Sequence, residues 1–272
     1  MTDIDAVIAL AHAAGEAILE VYQREDHGES RKDDTSPLTE ADLASHRVLV
    51  AGLRRLVPEL PILSEEAELP DWRERSGWRR YWLIDPLDGT KEFLKRNGEF
   101  TVNIALIEEG VPVLGVVGVP VLGITYAGVR GVGAWRIDAD GRAPIRTRAM
   151  AGRGGGGAPV TVVASRSHGA DTVAQWIEAI SGRVGQIETR NMGSSLKLCL
   201  VAEGSADIYP RLAPTAEWDT AAAQAVVEAA GGLVLTDDLR VMRYNAKAEL
   251  LNPHFFVIGD QDYPWRDVLA AR

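Results

Sequence analysis

Asp85 and Asp88 close the segment Trp82-Leu83-Ile84-Asp85-Pro86-Leu87-Asp88-Gly89-Thr90, in which a short apolar run delivers two carboxylates to one point. Pro86 is expected to stop the strand, exposing the Leu87 carbonyl between the two acids. Such a group suits a divalent cation holding a phosphate, because Mg²⁺ takes oxygen ligands from carboxylates and phosphates together. Gly89-Thr90 then opens a helix, whose first N–H groups and dipole favour an anion. Two more carboxylates end a second apolar stretch, Leu63-Ser64-Glu65-Glu66, and another acidic group stands at Glu217-Trp218-Asp219-Thr220. Any one of these alone also fits a helix cap or a strand-end turn. All three together point to metal-assisted phosphate chemistry.

These groups need elements to hold them. Ile4, Val7, Ile8, Ala11, Ala14, Ile18, Leu19 and Tyr22 recur at helical steps across residues 3–23. Thr39 or Ser36 can cap a second helix that runs to about Leu56 and is ended by Pro58. Strands are expected at 62–63, 81–84, 101–108, 113–119, 123–129 and 133–137. Residues 153–158, with four consecutive glycines, read as a flexible surface connection and lack the Lys-Ser/Thr of a phosphate loop. The second half reads as α/β. A strand at 160–164 leads to a helix over 169–180 broken by Gly182, and Gly193-Ser194 caps a helix reaching Glu203. A strand at 206–209, an alanine-rich helix after Asp219 and strands at 233–235 and 255–258 complete a mixed α/β pattern.

The chain has 272 residues, 46% of them apolar, enough for one large domain or two packed lobes. The net charge of −10 disfavours nonspecific nucleic-acid binding, since no basic excess is available to displace counterions. An anionic substrate must then be met by local cations or bound metal, which reverses the sign of an acidic pocket. Cys199, the single cysteine, excludes an internal disulfide, suits a reducing cytoplasm and reads as a buried core thiol. The N-terminus carries acids early and does not read as a signal peptide, and no apolar stretch approaches membrane-spanning length.

Asp85-Pro86-Leu87-Asp88-Gly89-Thr90, the Glu65-Glu66 pair and Trp218-Asp219 resemble the lithium-sensitive, magnesium-dependent phosphatases related to inositol monophosphatase. Within that superfamily, residues 32–42, 89–93, 97–103, 165–168, 193–197 and 209–211 are similar to the bacterial 3'(2'),5'-bisphosphate nucleotidases. The resemblance runs from the first helix almost to the C-terminus. It implies a layered αβαβα sandwich: a lobe over 1–150 with most metal ligands and one over 151–272 with substrate residues and one ligand, together forming one catalytic unit.

The same resemblance implies Glu65, Asp85, Leu87 through its carbonyl, Asp88 and Asp219 as ligands of two or three Mg²⁺. Glu66 is left out of that set. Asp42, Glu65 and Thr90 are the implied catalytic residues, with Thr90 and Asp42 orienting an attacking water. On spacing alone, Asp42 would be decoration of a helix first turn. Glu65, Leu87, Asp88, Gly89, Thr90 and Asp219 would touch substrate, and Ser194, Lys197, Arg211 and His168 would serve a second anion. Lys32 and Asp33 fall in a loop resembling a mobile one near the metals.

The implied reaction removes the 3'-phosphate of adenosine 3',5'-bisphosphate to give AMP and phosphate, with the 3'-phosphoadenosine 5'-phosphosulfate relative as a further substrate. Such an enzyme would clear a by-product of sulfate assimilation from the cytoplasm, as a monomer or homodimer. Lithium sensitivity follows from the resemblance only. An inositol or fructose phosphatase would share the metal set and differ at Lys91, Lys197 and Arg211. A non-catalytic nucleotide sensor would have no need of the Thr90–Asp42 pair.

Overall fold

Helical spacing near the N-terminus becomes α1 (Ile4–Tyr22), capped by Asp3. The computed structural model describes residues 2–31, 37–165 and 170–269. A two-stranded ladder, β1 (Ser30–Arg31) with β2 (Pro37–Leu38), leads into α2 (Glu40–Leu56). Thr39 is the cap of α2, while Ser36 lies outside the described residues.

Next come β3 (Ile62–Ser64), the single turn α3 (Trp72–Arg75), β4 (Arg80–Asp88) and the short α4 (Thr90–Leu94). Strands β5 (Thr101–Glu108), β6 (Val111–Val119), β7 (Ile124–Val129), β8 (Gly133–Asp138) and β9 (Gly141–Ile145) follow. These seven, β3 to β9, form one sheet in sequence order, with β3 parallel to β4 and the remaining pairs antiparallel.

The second sheet has the order β11-β10-β12-β14-β13, built from β10 (Val160–Ala164), β11 (Ile187–Asn191), β12 (Ile208–Arg211), β13 (Leu233–Thr236) and β14 (Phe255–Ile258). Between its strands run α5 (Ala170–Val184), α6 (Leu196–Ala202) and α7 (Ala221–Ala229), and α8 (Trp265–Leu269) ends the described chain.

Alternation along the first sheet explains the layering. Trp82 and Ile84 of β4 and Ile104 and Leu106 of β5 face a core with α1 and α2. Their neighbours Tyr81, Leu83, Ala105 and Ile107 face a second core with α6, α7 and the other sheet. Helices α5 and α8 cover the far face of the second sheet. Both faces of the central strands are therefore buried, which is why they read as continuous apolar runs. The result is an αβαβα sandwich. No helix among the described residues is long and apolar enough to cross a membrane.

Helix α7 lies close on the first sheet because both surfaces are stripped to small groups. A Cβ on Gly115 would lie 2.1 Å from the Ala222 carbonyl oxygen, and one on Gly128 2.6 Å from Val226 Cα. That close docking fixes the start of α7, and with it the preceding turn Glu217–Asp219.

Several sequence expectations are corrected. The strand does not stop at Pro86: β4 continues to Asp88, and the Pro86 carbonyl accepts from Ser45 Oγ at 2.7 Å. Gly182 does not break α5, because Ile180 and Val184 on either side are buried and that packing outweighs the roughly 1 kcal/mol cost of a helical glycine. Helix α6 begins at Leu196 with Ser195 as its cap, rather than at Gly193-Ser194. The glycine stretch is a tied turn: Gly154 N–H donates to the Ala158 carbonyl at 2.8 Å and Ala158 N–H to the Gly152 carbonyl at 3.0 Å. Within it, a Cβ on Gly154 would lie 1.8 Å from the Val184 carbonyl oxygen, which explains the need for glycine there.

Candidate active site

Asp85 and Asp88 are three residues apart, and in a regular strand an odd spacing points side chains to opposite faces. Here β4 pairs Asp85 with Asn103 and then Asp88 with Thr101, so β4 advances by one residue more than β5. This bulge turns both acids toward one cavity. Asp85 Oδ1 accepts from the Leu87 N–H at 3.0 Å, which fixes the bulged segment. Gly89 follows in the left-handed region at φ 96°, so that α4 starts at once with Thr90.

The cavity, about 510 Å³, lies between the layers and draws on both halves of the chain. Glu65 reaches it from the end of β3, and Asp219 from the turn before α7. Leu87, Gly89, Thr90, Ser194, Lys197 and Arg211 line it as well. Lys91, Glu92, Ser165, Tyr209 and Thr215 complete much of its wall. His168 lies outside the described residues, as do Lys32 and Asp33.

Glu65, Asp85 and Asp219 each offer a carboxylate oxygen within 4.8 Å of the others. Burial is the main cause that pushes the Asp85 carboxyl well above its ordinary range, with repulsion from Glu65, Asp88 and Asp219 and a hydrogen bond with Glu65 adding to it. Burial likewise raises Asp219, helped by Asp88 and Glu65. An all-oxygen set of crowded, buried carboxylates fits a hard divalent cation, whose charge relieves both the repulsion and the desolvation.

A carboxyl raised in the folded state contributes stability while protonated, and that contribution is lost as pH rises through the raised value. For Asp88, raised to about 6 chiefly by burial, the loss begins above the ordinary carboxylate range and is complete beyond pH 6. The metal-free protein is therefore expected to be less stable at pH 7 than at pH 4.5, and added Mg²⁺ to raise its Tm more at pH 7. At roughly 100 times Kd the gain should be about 2.7 kcal/mol, or roughly 5–10 °C for a chain of this size. Differential scanning calorimetry with and without chelator checks both signs.

Asp88 stands slightly apart from that cluster. Its Oδ2 accepts from the Ser195 N–H at 2.6 Å, and Lys197 is the strongest influence opposing its upward shift. Lys197 is itself buried, which lowers its ammonium to about 8. Its Nζ donates to the Ser194 carbonyl at 2.5 Å and sits 5.6 Å from the Tyr209 ring centroid. Arg211 donates to the Ala213 and Pro214 carbonyls at 3.1 and 2.8 Å, which fixes its guanidinium at the cavity wall.

Asp42 does not line the cavity, yet it is joined to it. Its Oδ2 accepts from Thr39 N–H and Oγ1 at 2.8 and 2.6 Å, while Oδ1 accepts from Thr90 Oγ1 at 3.2 Å. The helix-cap role and the contact with Thr90 coexist, one oxygen for each.

Helix α2 braces the same region twice more. Ser45 holds the Pro86 carbonyl, and His46 Nδ1 lies 2.9 Å from Ser64 Oγ, one residue before Glu65. Behind Asp219, the buried Glu217 carboxylate accepts from the Asn245 N–H at 3.0 and 2.9 Å, and Asn245 Oδ1 accepts from Arg75 at 2.7 Å. Sequence reasoning missed these supports, together with the grip of Ser195 on Asp88. The available signal was polar residues inside apolar strands and helix faces, such as Thr101 and Asn103 in β5.

The profile of the Inositol monophosphatase family matches residues 2–271. The 3'(2'),5'-bisphosphate nucleotidase CysQ of Salmonella typhimurium is 48% identical over 255 residues, covering 93% of this chain and 98% of that protein. The enzyme of the same name from Haemophilus influenzae is 35% identical over 266 residues, 97% and 96% of the two chains. Among solved structures, CysQ of Bacteroides thetaiotaomicron, a bacterial member of the inositol monophosphatase family, superposes with a TM-score of 0.82 at 40% identity, covering 95% and 97%. An inositol monophosphatase of Thermotoga maritima shares the fold, with a TM-score of 0.79 at 24% identity over 100% and 96%.

Proposed function

Since this chain belongs to the inositol monophosphatase family, in which metal dependence is typical, we propose that it is a 3'(2'),5'-bisphosphate nucleotidase removing the 3'-phosphate of adenosine 3',5'-bisphosphate. The observation that carries the substrate class is one cavity lined both by carboxylates for cations and by the buried Lys197 and Arg211. A single phosphate needs only the first group, whereas a substrate with phosphate at both ends needs the second. Two or three Mg²⁺ are the proposed cations, held by Glu65, Asp85, Asp88, Asp219 and the Leu87 carbonyl. When bound, they supply charge neutralisation at the phosphoryl oxygens and a water of lowered pKa.

The remaining steps fall to the chain. Thr90 Oγ1 directs its proton to Asp42 at 3.2 Å, which leaves its oxygen to accept from the attacking water. Asp42 is held by Thr39, so the pair keeps one orientation as the water proton moves toward Asp42. The water oxygen bonds to phosphorus, the bond to the 3'-oxygen breaks, and that oxygen takes a proton from solvent water, leaving AMP and inorganic phosphate. Backbone N–H groups of Gly89 and Thr90 meet the phosphoryl oxygens, and Ser194, Lys197 and Arg211 meet the far phosphate. 3'-Phosphoadenosine 5'-phosphosulfate presents the same two anions and is a proposed second substrate. The proposed location is the cytoplasm.

The reading is tested by phosphate release with Mg²⁺ from adenosine 3',5'-bisphosphate, inositol 1-phosphate and fructose 1,6-bisphosphate. A kcat/KM at least tenfold higher for the nucleotide is expected. Equal or better turnover of the sugar phosphates would falsify the substrate class and leave the metal chemistry standing.

A further inference from the structure

Thr101 and Asn103 are two residues apart on β5 and so share a face, and both side chains meet Ser195 at the cap of α6. Thr101 Oγ1 and Asn103 Oδ1 each lie 2.8 Å from Ser195 Oγ. Thr101 Oγ1 is also 3.5 Å from Asp88 Oδ2, the oxygen that accepts from Ser195 N–H. All three side chains are buried, at 0–2% exposure. Asn103 Nδ2 is a buried donor with no partner among the described residues.

An unmade buried donor is costly, so the proton count matters. Each hydroxyl has one proton to give. If Ser195 gives its proton to Asn103, Thr101 gives its own to Ser195; Asp88 then receives none from a hydroxyl, and Asn103 Nδ2 stays unpaired. Turning the Asn103 amide over exchanges its oxygen and nitrogen in place. Asn103 then donates to Ser195, Ser195 to Thr101, and Thr101 to Asp88. Only this sense gives Asn103 Nδ2 a partner and delivers a hydroxyl donor to the carboxylate.

We propose that Asn103, Ser195 and Thr101 form a one-way hydrogen-bond relay that positions Asp88 and ties it to the turn carrying Ser194 and Lys197. The proposal rests on reading Asp88 as a metal ligand. With Oδ2 held by Ser195 N–H and Thr101, Oδ1 is left to face a cation. Because Ser194 and Lys197 flank Ser195, the proposed far-phosphate contacts and the metal carboxylate are held as one unit. The three act as positioning residues, not as groups that touch the reacting atoms.

Mg²⁺ binding to the whole protein, measured by titration calorimetry, tests this without reference to turnover. Thr101→Val and Ser195→Ala are each expected to weaken Mg²⁺ roughly tenfold, the usual scale for groups that orient metal ligands. Thr101→Ser, which keeps the hydroxyl, should bind within about twofold of the parent. Equal Mg²⁺ affinity in all four proteins, with their metal-free Tm retained, overturns the relay. Weakening by Thr101→Ser equal to that by Thr101→Val also overturns it, since packing rather than the hydroxyl would then be responsible. A parent protein that binds Mg²⁺ and shows the expected order, yet releases no phosphate from the bisphosphate nucleotide, supports the relay and sinks the proposed function instead.

Discussion

Asp85→Asn is expected to lower kcat/KM by about a thousandfold, equivalent to about 4 kcal/mol of transition-state stabilisation. Asp85 is the deepest of the three clustered acids, at 1% exposure, and it faces Glu65, Asp88 and Asp219 at once. Removing its charge takes a ligand from the proposed cations and also relieves repulsion among the acids that remain. The metal-free variant should therefore keep or exceed the parental Tm while losing most of the Mg²⁺-induced gain. Those two readings separate a ligand from a residue that merely packs, because a packing defect lowers both. Calorimetry with and without Mg²⁺, beside phosphate release, gives the answer. An active variant with an intact Mg²⁺ response would remove Asp85 from the proposed ligand set.

Lys197→Met should divide the substrates. A hydrogen bond to a charged group contributes about 1.5–3 kcal/mol, so kcat/KM for adenosine 3',5'-bisphosphate should fall by roughly 10- to 100-fold. Inositol 1-phosphate, with no second phosphate, should lose only a few-fold. Lys197 also holds down the Asp88 carboxyl, which burial raises to about 6. Without it the acid limb of the pH profile should move upward for both substrates. In the parent the ammonium is lowered to about 8 by burial, so preference for the bisphosphate should decline as pH rises above 8. Equal losses for both substrates, with no movement of the acid limb, would show that Lys197 serves neither the far phosphate nor Asp88.

The metal-side acids were legible because carboxylates at the ends of apolar runs are a local signal. Asp85, Asp88, Glu65 and Asp219 all reach the cavity. Asp42 was harder, since its position at N3 of α2 accounts for it fully as a cap. The contact with Thr90 arises only where α2 crosses the start of α4. Pro86 misled, because its ring removes a donor but leaves a carbonyl, and a distant hydroxyl on Ser45 takes up that carbonyl. Gly182 misled for a similar reason: a local penalty of roughly 1 kcal/mol is smaller than the burial of its neighbours.

Residue types and their order account for the chemical inventory: hard oxygen ligands, a threonine at a helix start, two cations for an anion, and apolar runs to deliver them. Each of these depends on residue type and on neighbours within a few positions. How they meet depends on the packing of the layers. A one-residue bulge sets Asp85 and Asp88 toward the same cavity, and Gly115 and Gly128 let α7 dock closely enough to bring Asp219 to them. Ser195 closes on Asp88 across two layers of the fold. The physical reason is that hydrogen bonding and charge repulsion act over a few ångströms of space, whatever the separation along the chain.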